Sequence, residues 1–225
     1  MLMIAGVVIL LLVLVLPGLW VRHVLTRHSS VRDDFPGTGG DMARHLIHKL
    51  ELEQVVVEAT EQGDHYDPQQ HAVRLTADKL DGKSLTAVVV AAHEVGHALQ
   101  HQRGERMFSW RQGLAVLASW MQRLAPVALL LSPLLLAVQP GLSRWTLLIA
   151  ALAMSINTLV HLVTLPVELD ASFNKALPLL QQGQYLDDAD MLHARTILRA
   201  AALTYVAGSL MSLLNIWRWL RYLRR

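Results

Sequence analysis

Two histidines four residues apart, with a glutamate directly after the first, give this chain its clearest chemistry: His93-Glu94-Val95-Gly96-His97. On a helix of 3.6 residues per turn, positions i and i+4 share a face, with side-chain stems about 5–6 Å apart. Imidazoles so placed reach one tetrahedral Zn²⁺ at about 2.0–2.1 Å. Glu94 follows the first ligand, where its carboxylate can touch a water at the metal without ligating the metal itself. Such a trio supports activation of water for hydrolysis.

The elements around the motif must place it. Ser84 is a suitable N-cap, and Leu85 to Ala92 carries no charge and reads as a buried helix leading into the motif. Ending an apolar helix in His, Glu and His has a desolvation cost that a bound ion offsets. The spacing is that of the His-Glu-x-x-His motif of metalloproteases. Upstream, Asp33 to Gly40 is a polar hinge rich in Gly and Pro, and Asp41 caps a short helix through Leu52 with Met42, Leu46 and Leu50 on one side. Val55-Val56-Val57 reads as a strand, Gly63 to Pro68 as a turn-rich connection, and Ala72 to Thr76 as a second strand. The motif helix therefore belongs to a small α+β unit, residues 33–112. A strand beside the metal can pair with an extended peptide through main-chain hydrogen bonds.

Composition adds a second expectation. The chain has 225 residues, 53% of them hydrophobic, and the apolar ones are clumped into Leu2–Trp20, Leu114–Val138, Trp145–Leu165 and the shorter Ala201–Trp217. The first three meet the roughly 20 residues that cross a ~30 Å hydrocarbon core. The first lacks a basic leader and a small-residue cleavage site, so it reads as an uncleaved anchor. Arg22, Arg27 and Arg32 follow it, which places residue 22 onward in the cytoplasm. The expected fold is mainly α: a multi-pass cell-membrane protein with 3–4 transmembrane helices and a small α+β insert. Its parts are an anchor at 1–21, the cytoplasmic insert at 33–112, a transmembrane hairpin at 113–165, a cytoplasmic segment at 166–199, an apolar helix at 200–217 and a basic tail at 218–225. Net charge is +2, with the arginines beside the apolar runs, which favours lipid headgroups over nucleic acid as partner. Cysteine is absent, leaving His and carboxylate as the strong ligands.

A catalytic zinc has three protein ligands and one open position. With Gln139-Pro140-Gly141 as the outer turn of the hairpin, the chain returns to the motif's side near Pro166, at Val167-Glu168-Leu169-Asp170-Ala171-Ser172. Glu168 and Asp170 are the first acidic residues after Glu105, and this topology nominates the pair. His65, Tyr66, His193 and Tyr205 are candidate donors to a developing oxyanion. His101, one turn beyond His97, reads as a neighbour of the site or as solvated. His71 reads as exposed, Asp67 before Pro68 as fixing an extended turn, and His161 with Asn157 as helix-packing polar groups.

HEVGHALQH, the upstream DHYDP (Asp64 to Pro68) and VRL (Val73 to Leu75), the later ELDAS (Glu168 to Ser172) and AALTYVA (Ala201 to Ala207) resemble the YugP-type family of bacterial membrane zinc metallopeptidases. The likeness runs in order over nearly the whole chain. The Glu-x-x-Ala element is also similar to the third-ligand motif of HtpX-like membrane gluzincins. The resemblance implies a zincin-like insert, one Zn²⁺ per chain held by His93, His97 and Glu168, Glu94 as general base, and an active site on the cytoplasmic face. One departure is Ser172, where HtpX-like enzymes carry Asp, so a supporting carboxylate must come from elsewhere, with Asp170 a candidate. The expected function is a membrane-embedded zinc endopeptidase cutting membrane or membrane-proximal polypeptides. The rival readings are a catalytically silent zinc-binding scaffold, which has no need of Glu94, and an ion transporter, which the position of the motif outside the apolar runs disfavours.

Overall fold

The first helix, α1 (Leu2–Arg27), hands over to the polar region through a pinned junction. The Thr86 hydroxyl donates to the Leu25 carbonyl (2.9 Å) and its amide to that of His28 (3.1 Å), while the Arg32 amide donates to Lys83 O (2.8 Å). The two Thr86 bonds reach carbonyls at and just past the C-terminus of α1, where intrahelical partners run out. In this computed structural model the described residues are 2–138, 145, 156, 158–203 and 206.

Helix α2 (Gly39–Lys49) starts one turn earlier than its sequence suggests. Thr38, not Asp41, is the N-cap: its hydroxyl accepts from the Asp41 amide, and the Asp41 carboxylate accepts from the Thr38 amide at 3.0 Å. This reciprocal box is worth about 0.5–2 kcal/mol. Strands β1 (Val56–Ala59), β2 (His65–Asp67) and β3 (Ala72–Leu75) form a sheet in the order β1-β3-β2. β1 runs parallel to β3, and β2 pairs antiparallel with it. The DHYDP stretch expected as a connection is thus largely the third strand. With only Tyr66 buried in it, it is too short to show an alternating pattern.

After the short α3 (Ala77–Leu80), the motif helix α4 spans Leu85–Gln102. Ser84 caps it as expected, accepting from the Ala87 amide at 3.2 Å. Helix α5 follows (Arg106–Val138). Residues 158–169 are helical and pass into a π-helical segment, π1 (Asp170–Ala176), then α6 (Leu177–Gln182), with residues 188–203 helical again. Wider π turns are rare and occur often at functional sites.

The chain divides into two compact units, Met1–Glu105 with Val167–Thr204, and Arg106–Pro166 with Tyr205–Arg225. In the first, α4 packs between α2 and π1 and beneath the sheet. Leu46, Val73, Leu75, Val89, Val95 and Leu180 are fully buried there. The second is represented chiefly by α5 and by the helical residues leading to Pro166.

The fold class expected from composition needs correction. The described protein is mainly helical with a small three-stranded sheet, and among the described residues no helix is long and apolar enough to cross a membrane. The Leu114–Val138 run lies within α5, a helix that also carries Arg106, Arg111 and Arg123. From Arg123 to Val138 it rises about 22 Å, short of a ~30 Å hydrocarbon core. Trp145–Leu165 and Ala201–Trp217 lie largely outside the described residues, as does the basic tail at 218–225. Among the described residues nothing therefore supports the multi-pass membrane placement or the sidedness inferred from it.

Candidate metal centre

Helix α4 carries His93 and His97 on one face, their ring centroids 4.7 Å apart and nearly perpendicular. Across from them stands Glu168 in the last helical turn before π1, its side chain 3% exposed. Its Oε2 lies 3.2 Å from His93 Nε2 and 3.3 Å from His97 Nε2. Among the described residues, these three form the one group of His and carboxylate side chains that could hold a metal ion, all their ligand atoms within 4.8 Å of one another. A tetrahedron with 2.0–2.1 Å bonds has an edge of about 3.3 Å. The observed separations match that edge.

Glycine makes the approach possible. A Cβ on Gly96 would stand 2.9 Å from the Ala171 carbonyl oxygen, a backbone atom that cannot swing aside. The absent side chain lets π1 close on α4 and bring Glu168 over the imidazoles. Within the first unit, the packing of π1 against α4 brings the 167–172 segment to the imidazoles.

The outer ring nitrogens are held as well. Gln100 is buried, and its Nε2 donates to Val167 O (2.9 Å) and to Asp170 Oδ2 (2.7 Å). Both partners are acceptors, so the amide orientation is settled and Oε1 faces His97 Nδ1 at 2.9 Å. His97 therefore carries its proton on Nδ1 when neutral and turns a lone pair on Nε2 toward the Glu168 carboxylate. Lone pair facing carboxylate is an arrangement that wants a cation between them, so the donor set fits zinc. His93 Nδ1 meets the Ser172 hydroxyl at 3.1 Å. Burial opposes the charge on Glu168, but His97 and His93 outweigh it and hold the carboxyl well below the ordinary range.

Glu94 is 7% exposed, and among the described residues it makes no hydrogen bond or ion pair. Asp170 is not part of the ligand group. It accepts from Gln100, from Asn174 (2.9 Å) and from Lys175, and against its burial these bonds lower its pKa to about 2.

Several of the other sequence candidates have partners away from the ligand group. The Tyr66 hydroxyl pairs with His101 Nδ1 at 2.9 Å, and His71 stacks on His101 with centroids 5.0 Å apart instead of standing free in solvent. Burial pushes the Tyr66 phenol up to about 12, so the phenol keeps its proton and donates it. Burial, then His71, lowers His101. A cavity of about 410 Å³ opens there, lined by Glu51, Glu53, Tyr66, His71, Ala98 and His101. His65 Nδ1 bonds Gly63 O (2.8 Å), and Asp67 shapes its turn by accepting from the Gln69 and Gln70 amides. His193 packs against His28, ring centroids 4.6 Å apart. His161 is on a helical stretch of the second unit, while Asn157 and Tyr205 lie outside the described residues. Gly96, Gln100 and the role of Ser172 escaped sequence reasoning, because each is defined by what it faces on another element.

A protein family described as "Putative neutral zinc metallopeptidase" matches residues 2–224. The chain belongs to this family. A relative in it, named "Putative membrane protease YugP" in Bacillus subtilis (strain 168), is 32% identical over 200 residues, covering 88% of this chain and 86% of that protein. No solved structure matches the chain. Membership in a zinc-peptidase family agrees with a centre built from two imidazoles and one carboxylate.

Proposed function

We propose that this chain is a zinc-dependent endopeptidase that hydrolyses peptide bonds of polypeptide substrates. One zinc per chain is held by His93, His97 and Glu168, and Glu94 is the general base. The observation that carries this reading is Glu94: a buried carboxylate beside the ligand group with no hydrogen bond of its own among the described residues. A carboxylate so placed has a desolvation cost and is kept free for a substrate or a water.

Bound zinc supplies Lewis acidity, polarising a carbonyl and lowering the pKa of water. Glu94 takes the proton of the attacking water on a carboxylate oxygen and returns it to the leaving amine. His93 and His97 keep their Nε2 atoms directed inward through the bonds at Nδ1. Ala98, His101 and Gln102 follow Glu94 at helical spacing, so the 410 Å³ cavity is on the Glu94 side of α4 and suits substrate residues flanking the cut.

The test compares wild type with Glu94→Gln, assaying bound zinc and cleavage of an unfolded protein together. Zinc in both, with cleavage only by the wild type, supports peptidase and base alike. Zinc bound by a wild type that cleaves nothing overturns the peptidase reading in favour of a zinc-binding scaffold.

A further inference from the structure

We propose that Gln100 is the positioning residue of the metal centre, one amide that sets the His97 tautomer and also fixes the segment carrying Glu168. The inference rests on the metal-site reading above. Gln100 and His97 share α4, whereas Val167 and Asp170 flank Glu168 on the opposing segment. Through Oε1 the amide accepts from His97, and through Nε2 it donates to the Val167 carbonyl and the Asp170 carboxylate. A single side chain, 1% exposed, thus joins both ligand-bearing elements.

Behind it the network continues. Asp170 also accepts from Lys175, a residue 6% exposed, and Lys175 Nζ lies 2.9 Å from Glu105 Oε1. Glu105 sits just beyond the end of α4, so the chain of contacts returns to the helix where it began. In this protein the supporting carboxylate reaches a ligand imidazole through an amide. Ser172, at the position nearest His93, offers a neutral hydroxyl instead. Partners of this kind orient ligand rings and raise their basicity, and losing one costs about 10–100-fold in metal affinity. An amide is better suited than a carboxylate here because it must accept at one end and donate at the other.

The experiment measures zinc affinity by chelator competition for wild type, Gln100→Met and, as control, Gln181→Met, an exposed position at the end of α6. Gln100→Met should bind zinc about 10–100-fold more weakly, with Gln181→Met unchanged. The visible spectrum of the cobalt-substituted Gln100→Met protein should shift as His97 loses its orientation. A purely structural amide would lower the thermal midpoints of metal-free and zinc-loaded protein equally, whereas a positioning one lowers the loaded midpoint more. Metal-free wild type with ¹⁵N-labelled histidine gives a readout needing no variant: neutral His97 should be the Nδ1–H tautomer. Unchanged zinc affinity in Gln100→Met, or an Nε2–H tautomer, overturns the inference and leaves the site standing. A wild type that binds no zinc overturns both.

Discussion

Arg74 on the small sheet and His97 on α4 each gather a carboxylate and an amide, yet the two clusters differ in almost every physical respect. Arg74 donates to Asp67 (2.7 Å), Glu58 (3.2 Å) and Gln70 (2.6 Å), with side-chain exposures of 22% for Arg74, 19% for Asp67 and 46% for Glu58. Water can replace any of these partners, and salt screens them. Around His97 the corresponding groups are buried: Glu168, Gln100 and His97 itself are all under 10% exposed. There an unmet polar atom costs about 1–3 kcal/mol, so the partners of Gln100 and His97 are specified. The same residue types therefore make a tolerant surface in one place and a fixed centre in the other. Burial is what separates them.

The sharpest way to break that contrast is Gly96→Ala. Its Cβ would meet the Ala171 backbone, and separating α4 from π1 should cost about 1–3 kcal/mol of stability. More telling, zinc retained after dialysis should fall well below one equivalent, because Glu168 moves off the imidazoles. A zinc-replete Gly96→Ala protein would show that close approach is not what builds the site. Ser172→Ala removes the hydroxyl that meets His93 Nδ1 and should weaken zinc about tenfold in chelator competition, the low end for such outer contacts.

On the surface cluster, Arg74→Met should cost under about 1 kcal/mol in denaturant unfolding and leave zinc affinity unchanged. A larger loss would mean the sheet cluster is as specified as the buried one. The smallest effect concerns acid. Burial raises Asp67, but the Gln69 and Gln70 amides and Arg74 lower it further, so its folded pKa lies below the unfolded value. A depressed carboxyl contributes stability that is present above the unfolded value and is lost as pH falls through the folded one. Stability should therefore decline on acidification below about pH 4, and Arg74→Met should decline less steeply over that window. Urea midpoints at pH 7, 4 and 3 would measure it.

Much of the first unit was legible before the fold was seen. The motif helix with its Ser84 cap, the strands at β1 and β3, and the pairing of His93 with His97 all follow from spacings within a few residues. The β2 strand was not, since three residues around one buried tyrosine carry no period. Nor was the Thr38 cap, because Thr38 and Asp41 are both good capping residues and only the backbone angles choose between them. The apolar runs led to an expectation of membrane spans that no helix meets among the described residues, α5 being interrupted by Arg111 and Arg123.

By itself the sequence determined the two imidazoles and the carboxylate between them, because the i, i+4 relation is imposed by the hydrogen bonds of a single helix. Spacing and topology nominated Glu168 and Asp170 together, and only the family resemblance singled out Glu168. Tertiary structure agrees with that choice by seating π1 against Gly96, which directs Glu168 at the imidazoles and Asp170 at Gln100 and Lys175. It also gave Gln100 its partners. Contacts across elements depend on how closely two backbones approach, and that distance is written in packing and not in any local spacing.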